Sequence, residues 1–84
     1  MADKIGEIVS VNLVFNSHNG TAVPRHIEWH NRVYKFEKLG LHYTKYEGET
    51  LLHLFAVNSV DTYFLLSFNS KTLVWRLEEV GDKE

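Results

Sequence analysis

Cysteine is absent from this 84-residue chain, so disulfides and thiolate metal sites are excluded. Proline occurs once and alanine only three times. A chain so poor in the best helix former, and with a single proline, favours neither helical bundles nor extended proline-rich segments. No run of 18 apolar residues is present, so no membrane-spanning helix is expected. The first residues, Met1 to Glu7, lack the apolar stretch of a secretory signal, and the expectation is a cytoplasmic chain. Net charge is only −2, which gives no whole-molecule field toward nucleic acid or acidic lipid.

Valine, isoleucine, threonine and the aromatic residues, by contrast, make up 28 positions, a third of the chain. Side chains that are stiff at χ1, or flat and large, suit a pleated surface. The length suits one domain, 1–84, with an ordered core over 5–80. The fold class expected is all-β.

Local patterns divide the chain into about six strands: 5–15, 23–29, 32–41, 50–57, 62–68 and 73–79. Val9, Val11, Leu13 and Phe15 alternate with polar residues, which gives the first strand one buried face. Asn19-Gly20 marks a hairpin turn. Pairing His18 with Thr21 would put the apolar residues of the flanking strands on opposite faces, so a bulge or break is expected at Ala22–Arg25, around Pro24. The next hairpin needs no correction: Trp29 opposes Arg32, Ile27 opposes Tyr34, and Asn31 takes positive φ. Parity changes again after Phe36, and Gly40 is the cheap place for a bulge. Residues 44–49 read as a polar loop. In the last hairpin Phe68 is set against Leu73, Leu66 against Trp75 and Phe64 against Leu77. Residues 81–84 are expected to fray. Short connections favour a sequential antiparallel meander, in a strongly bent sheet or a small, partly open barrel.

Catalytic patterns are weak. Five histidines are present, and His26-x-x-x-His30 has a metal-ligand spacing, but one sits in a strand and the other in a turn. No metal site and no cofactor are expected. Ser17 beside His18, and Ser59 near Asp61, are what turn composition produces. Glu47 and Glu49 lie in the polar loop, and Glu78 and Glu79 are expected on opposite faces of a strand. No Gly-rich phosphate cradle exists, and Asn19-Gly20-Thr21 reads as a turn rather than a glycosylation site. The chain is not expected to be an enzyme.

Two surfaces stand out. Between Thr21 and Tyr46 the local charge is +3, with Arg25, Arg32, Lys35 and Lys38 interleaved with Trp29 and Tyr34. Basic residues among aromatics are the makings of a single-strand nucleic-acid surface, or of a partner surface. The strands at 50–57 and 62–68 are apolar on both faces, so Leu52, Leu54, Tyr63 and Leu65 are candidates for a dimer face. The reading preferred on these grounds is a non-enzymatic interaction or assembly module that forms a homodimer. Nucleic-acid binding through hairpin 25–38 is the alternative.

One resemblance follows from the same residues. Pro24 to Tyr34 resembles the pattern P-x-x-[IF]-x-W-x-G-R-x-Y, and His53–Val57, Tyr63–Phe68 and Leu73–Leu77 resemble the family's later V, L and W-x-L positions. The pattern is similar to that of a family of small uncharacterised bacterial all-β domains, some found with lesion-bypass DNA polymerases. It spans about 60 residues, from Pro24 to Val80, and departs where Asn31 stands for the family's glycine. It implies a bacterial cytoplasmic protein with no assigned catalytic residue.

Overall fold

The computed structural model describes residues 3–60 and 62–82, the side chains of 38, 39 and 82 excepted. The described residues form eight strands and no helix: β1 (Asp3–Ile8), β2 (Ser10–Asn16), β3 (Thr21–Trp29), β4 (Arg32–Lys35), β5 (Lys38–Glu47), β6 (Thr50–Ser59), β7 (Thr62–Asn69) and β8 (Trp75–Asp82). They make two antiparallel sheets, a five-stranded one in the order β1-β8-β7-β6-β5 and a three-stranded one in the order β2-β3-β4. The class is all-β, but two open sheets replace the single bent meander or barrel.

The difference from six strands arises at two crossings. The segment expected as one strand over 5–15 breaks at Val9. This residue is buried, and its N–H donates to the Trp75 carbonyl at 3.1 Å. Before it, β1 pairs with β8; after it, β2 pairs with β3. Residues 32–41 likewise divide at Phe36 and Glu37. The Phe36 N–H still donates to Arg25 of the small sheet, whereas the Glu37 N–H donates to Asn58 of the large one. A period of two continues through a corner of this kind, so alternation cannot reveal it.

Two expected irregularities are present. In β2–β3, Asn12 faces His26 and Leu13 faces Pro24, which leaves Arg25 as the extra residue. The turn itself is wider than Asn19-Gly20 alone. Asn16 faces Thr21, Gly20 donates to the Asn16 carbonyl, and only Gly20 takes positive φ there. Past the bulge Val11 faces Ile27, and the apolar rows agree. At Gly40 the β5–β6 register shifts as well, and a Cβ there would stand 3.2 Å from the Ala56 carbonyl oxygen. Strand β5 then continues through the residues expected as a loop, to Glu47, and turns at Gly48. Hairpin β3–β4 has the expected pairs Trp29–Arg32 and Ile27–Tyr34, with both His30 and Asn31 at positive φ.

The last hairpin is corrected by two residues as far as Leu77, and by three beyond the bulge at Leu65 and Leu66. Phe68 faces Trp75, Leu66 faces Leu77 and Phe64 faces Val80. Asn69 builds the wider loop: its Oδ1 accepts the N–H groups of Lys71 and Thr72, and its carbonyl accepts that of Leu73 at 2.7 Å. Leu73 is consequently 68% exposed, at φ 65°. A shift of two leaves Leu66, Phe68, Trp75 and Leu77 on the face assigned to them, while Leu73 moves into the loop. Toward the C-terminus β8 runs to Asp82, beyond the point where fraying was expected.

The core lies between the sheets. Ile27 of the small sheet meets Val57, Phe64, Leu66 and Leu77 of the large one, all fully buried. Tyr34 and Phe36 pack on Phe64, at ring separations of 5.2 and 5.5 Å.

Candidate interaction surfaces

The basic hairpin does not form a stacking platform. Arg25, Arg32 and Lys35 are exposed, while the Lys38 side chain lies outside the described residues. Arg32 covers the Tyr34 ring at 5.2 Å, and Lys35 faces His26 across the strands. Arg32 and Lys35 border an open groove of about 850 Å³ that Asp3 and Glu37 also line, so cations and carboxylates alternate there. The aromatic rings are already engaged. Trp29 stacks on His30 at 4.3 Å and donates its indole N–H to Glu7, and Tyr34 packs on Phe64.

Leu52, Leu54, Tyr63 and Leu65 do share one face, the outer face of the large sheet. They are not an exposed patch: Leu52, Leu54 and Leu65 are 3–8% exposed, with Tyr63 packed beside them. The leucines floor a hollow of about 410 Å³ whose other lining residues include Lys4, Tyr43, Lys45 and Glu79. The stems of such long polar side chains cover apolar surface while their heads stay in water. The second apolar face is thus sheltered by its own neighbours.

Glu78 and Glu79 were expected on opposite faces. A bulge opposite Leu65 and Leu66 brings both to this hollow. Buried Ser67 donates its hydroxyl to Glu78 Oε2 at 2.6 Å. Burial, then the charges of Glu79 and Tyr43, raise the Tyr63 pKa above the ordinary tyrosine value. Glu47 and Glu49 are exposed, and Asp61 lies outside the described residues.

His26 and His30 are not brought together: His26 stands over the small sheet opposite Asn12 and Lys35, and His30 pairs with Glu7 at 3.2 Å. Among the described residues no group of three or more His, Asp or Glu side chains is placed to hold a metal ion. His42 and His53 do meet, with His42 Nε2 3.1 Å from His53 Nδ1. His42 faces Phe55 across β5–β6, which puts it on the core side of the sheet, at its open end. Partial desolvation, and then the neighbouring His53, lower its pKa from the usual histidine value.

Around this pair five rings form a closed circuit. His42 stacks on Phe55 at 4.5 Å and 9°, Phe55 meets Trp75 at 5.4 Å, and Trp75 meets Phe68 at 4.9 Å. Phe68 lies 6.3 Å from His53, which closes on His42 at 5.3 Å. These rings come from β5, β6, β7 and β8, and only the true register of each pair assembles them.

Among the described residues, the fold and its surfaces define a two-sheet antiparallel β domain with two open edges in each sheet. No protein-family model matches the sequence, and neither a curated protein nor a solved structure matches it significantly.

Proposed function

We propose that the chain is a non-enzymatic assembly module that pairs with a second copy of itself along β5. One observation carries this reading. Strand β5 spans ten residues, is hydrogen-bonded on one side only among the described residues, and has every residue from Gly40 to Glu47 exposed. Leu41 is 56% exposed and Tyr46 72%.

A long edge strand carries a row of unsatisfied N–H and C=O groups and is a template for another strand. A second copy meets that need most simply. Two-fold symmetry would set β5 against β5 antiparallel and join two five-stranded sheets into one. The dimer expected from Leu52, Leu54, Tyr63 and Leu65 thereby moves to the sheet edge, since those residues lie sheltered within the monomer.

Light scattering behind size exclusion tests the reading. The expected mass is twice 9.8 kDa at high concentration, falling toward 9.8 kDa on dilution. Leu41→Lys with Tyr46→Lys should favour the monomer without unfolding it, because both residues are exposed. A monomer at ~100 μM, a concentration that would fill micromolar interfaces, rejects it.

A further inference from the structure

We propose that the slot between the tip of hairpin β2–β3 and the five-ring circuit binds an uncharged, planar aromatic molecule of one or two fused rings. From β5 the slot takes only the His42 side chain, whereas pairing would use that strand's backbone edge, so its occupation does not depend on assembly.

The slot has a volume of about 440 Å³, inside the range of small-molecule pockets. Its floor is the ring circuit of His42, Phe55, Trp75, Phe68 and His53, and its roof is Leu13, Thr21 and Ala22. Rings with a negative face and a positive edge favour other rings over alkyl groups of equal area. An aromatic floor under an aliphatic roof therefore selects a flat ring.

Charge complementarity selects a neutral one. Among the described residues no lysine, arginine, aspartate or glutamate lines the slot. The two imidazoles share one hydrogen bond, which leaves His42 Nδ1 and His53 Nε2 to meet a polar atom of the ligand. A ring bearing one hydroxyl or ring nitrogen suits both features.

Two other uses of the site conflict with its geometry. The imidazole planes lie within 15° and their centroids are 5.3 Å apart, so the rings are edge to edge and the two nitrogens aim at each other. A metal between them would need two bonds of about 2.0–2.1 Å laid nearly end to end, or about 4 Å in all. The observed separation is 3.1 Å. Nucleophilic catalysis would fall to Thr21, whose hydroxyl already donates to Asn19 Oδ1 at 2.6 Å.

The probe is 2-naphthol, with decahydro-2-naphthol as its non-aromatic counterpart and 2-naphthalenesulfonate as its charged one. Amide and aromatic chemical shifts of the whole chain are followed by NMR. Saturable binding of 2-naphthol is expected, with shifts confined to the β2–β3 tip and the five rings. Decahydro-2-naphthol should bind about twofold to tenfold more weakly, and the sulfonate more weakly still, because its charge has no partner in the slot. Ala22→Phe fills the slot and should abolish binding while leaving shifts elsewhere, and assembly through β5, unchanged. Leu13→Trp tests the same point should Ala22→Phe unfold, since Leu13 is 43% exposed. The proposal is overturned by an absence of saturation at about 1 mM, the weak end of specific binding. It is equally overturned by equal affinities for the aromatic and saturated probes, or by shifts that map elsewhere.

Discussion

Replacing Leu73 with glycine should stabilise this protein. Leu73 sits at φ 65° in the β7–β8 loop and is 68% exposed. The left-handed conformation costs a residue with a Cβ about 1–2 kcal/mol. Glycine avoids that cost but loses about 0.5–1 kcal/mol through the greater freedom of its unfolded chain. The exposed side chain has little burial to lose. Leu73→Gly should therefore gain roughly 0.5 kcal/mol, the difference between those two ranges. Leu73→Asn should also gain, since asparagine tolerates this conformation. In the register that sets Leu73 against Phe68, truncation of a core leucine would instead cost about 2–5 kcal/mol. Urea unfolding followed by tryptophan fluorescence separates the two. With a slope of about 1–3 kcal/mol per molar, the midpoint should rise by roughly 0.2–0.5 M. A midpoint lowered by about 1 M or more would refute the loop geometry.

Phe64→Ala removes the fully buried ring on which Tyr34 and Phe36 rest, and should cost about 3–5 kcal/mol. For a domain of this size that is about a quarter or more of the total of about 4–13 kcal/mol, and circular dichroism should show a population largely unfolded on mild heating. His42 gives stability a pH dependence. Its folded pKa is lowered, so below the unfolded value of about 6.5 the unfolded chain takes up the proton first. Stability should fall as pH drops from 6.5 to the lowered folded value and level off below it, and His42→Phe should flatten that segment of the profile. Because Trp29 and Tyr34 are committed to the core, fluorescent single-stranded oligonucleotides should show no saturable binding at low salt. Steeply salt-dependent binding lost in Arg32→Glu with Lys35→Glu would contradict this.

Parts of the fold were legible in the sequence wherever two local signals agreed. At β3–β4 the alternation and the turn residue Asn31 specify one register, and the structure has it. At Gly40 and near Pro24 the parity of the apolar residues fails, and a bulge occurs at each place. The β7–β8 register was not legible, because a slip of two residues keeps Phe64, Leu66 and Trp75 on one face. Only the side chain of Asn69, folding back on Lys71 and Thr72, selects the longer loop. Val9 was hidden for a related reason: an alternating strand that passes from one sheet to another keeps its alternation. Glu78 joined Glu79 on one face through a bulge in a strand with no glycine at that point. The ring circuit depends on four strands at once. His42 is exposed, yet pairing with Phe55 turns its ring to the core side of the strand, where it meets Phe55 and His53.

Amide hydrogen exchange reads the proposed pairing edge of β5 directly. In the monomer alternate amides of β5 face solvent, since β6 supplies partners on one side only. Exchange measured across a dilution series should show these amides protected at high concentration and exposed on dilution, with β7 amides unchanged. Protection of β5 that is independent of concentration, or its absence at every concentration, would contradict the assembly reading.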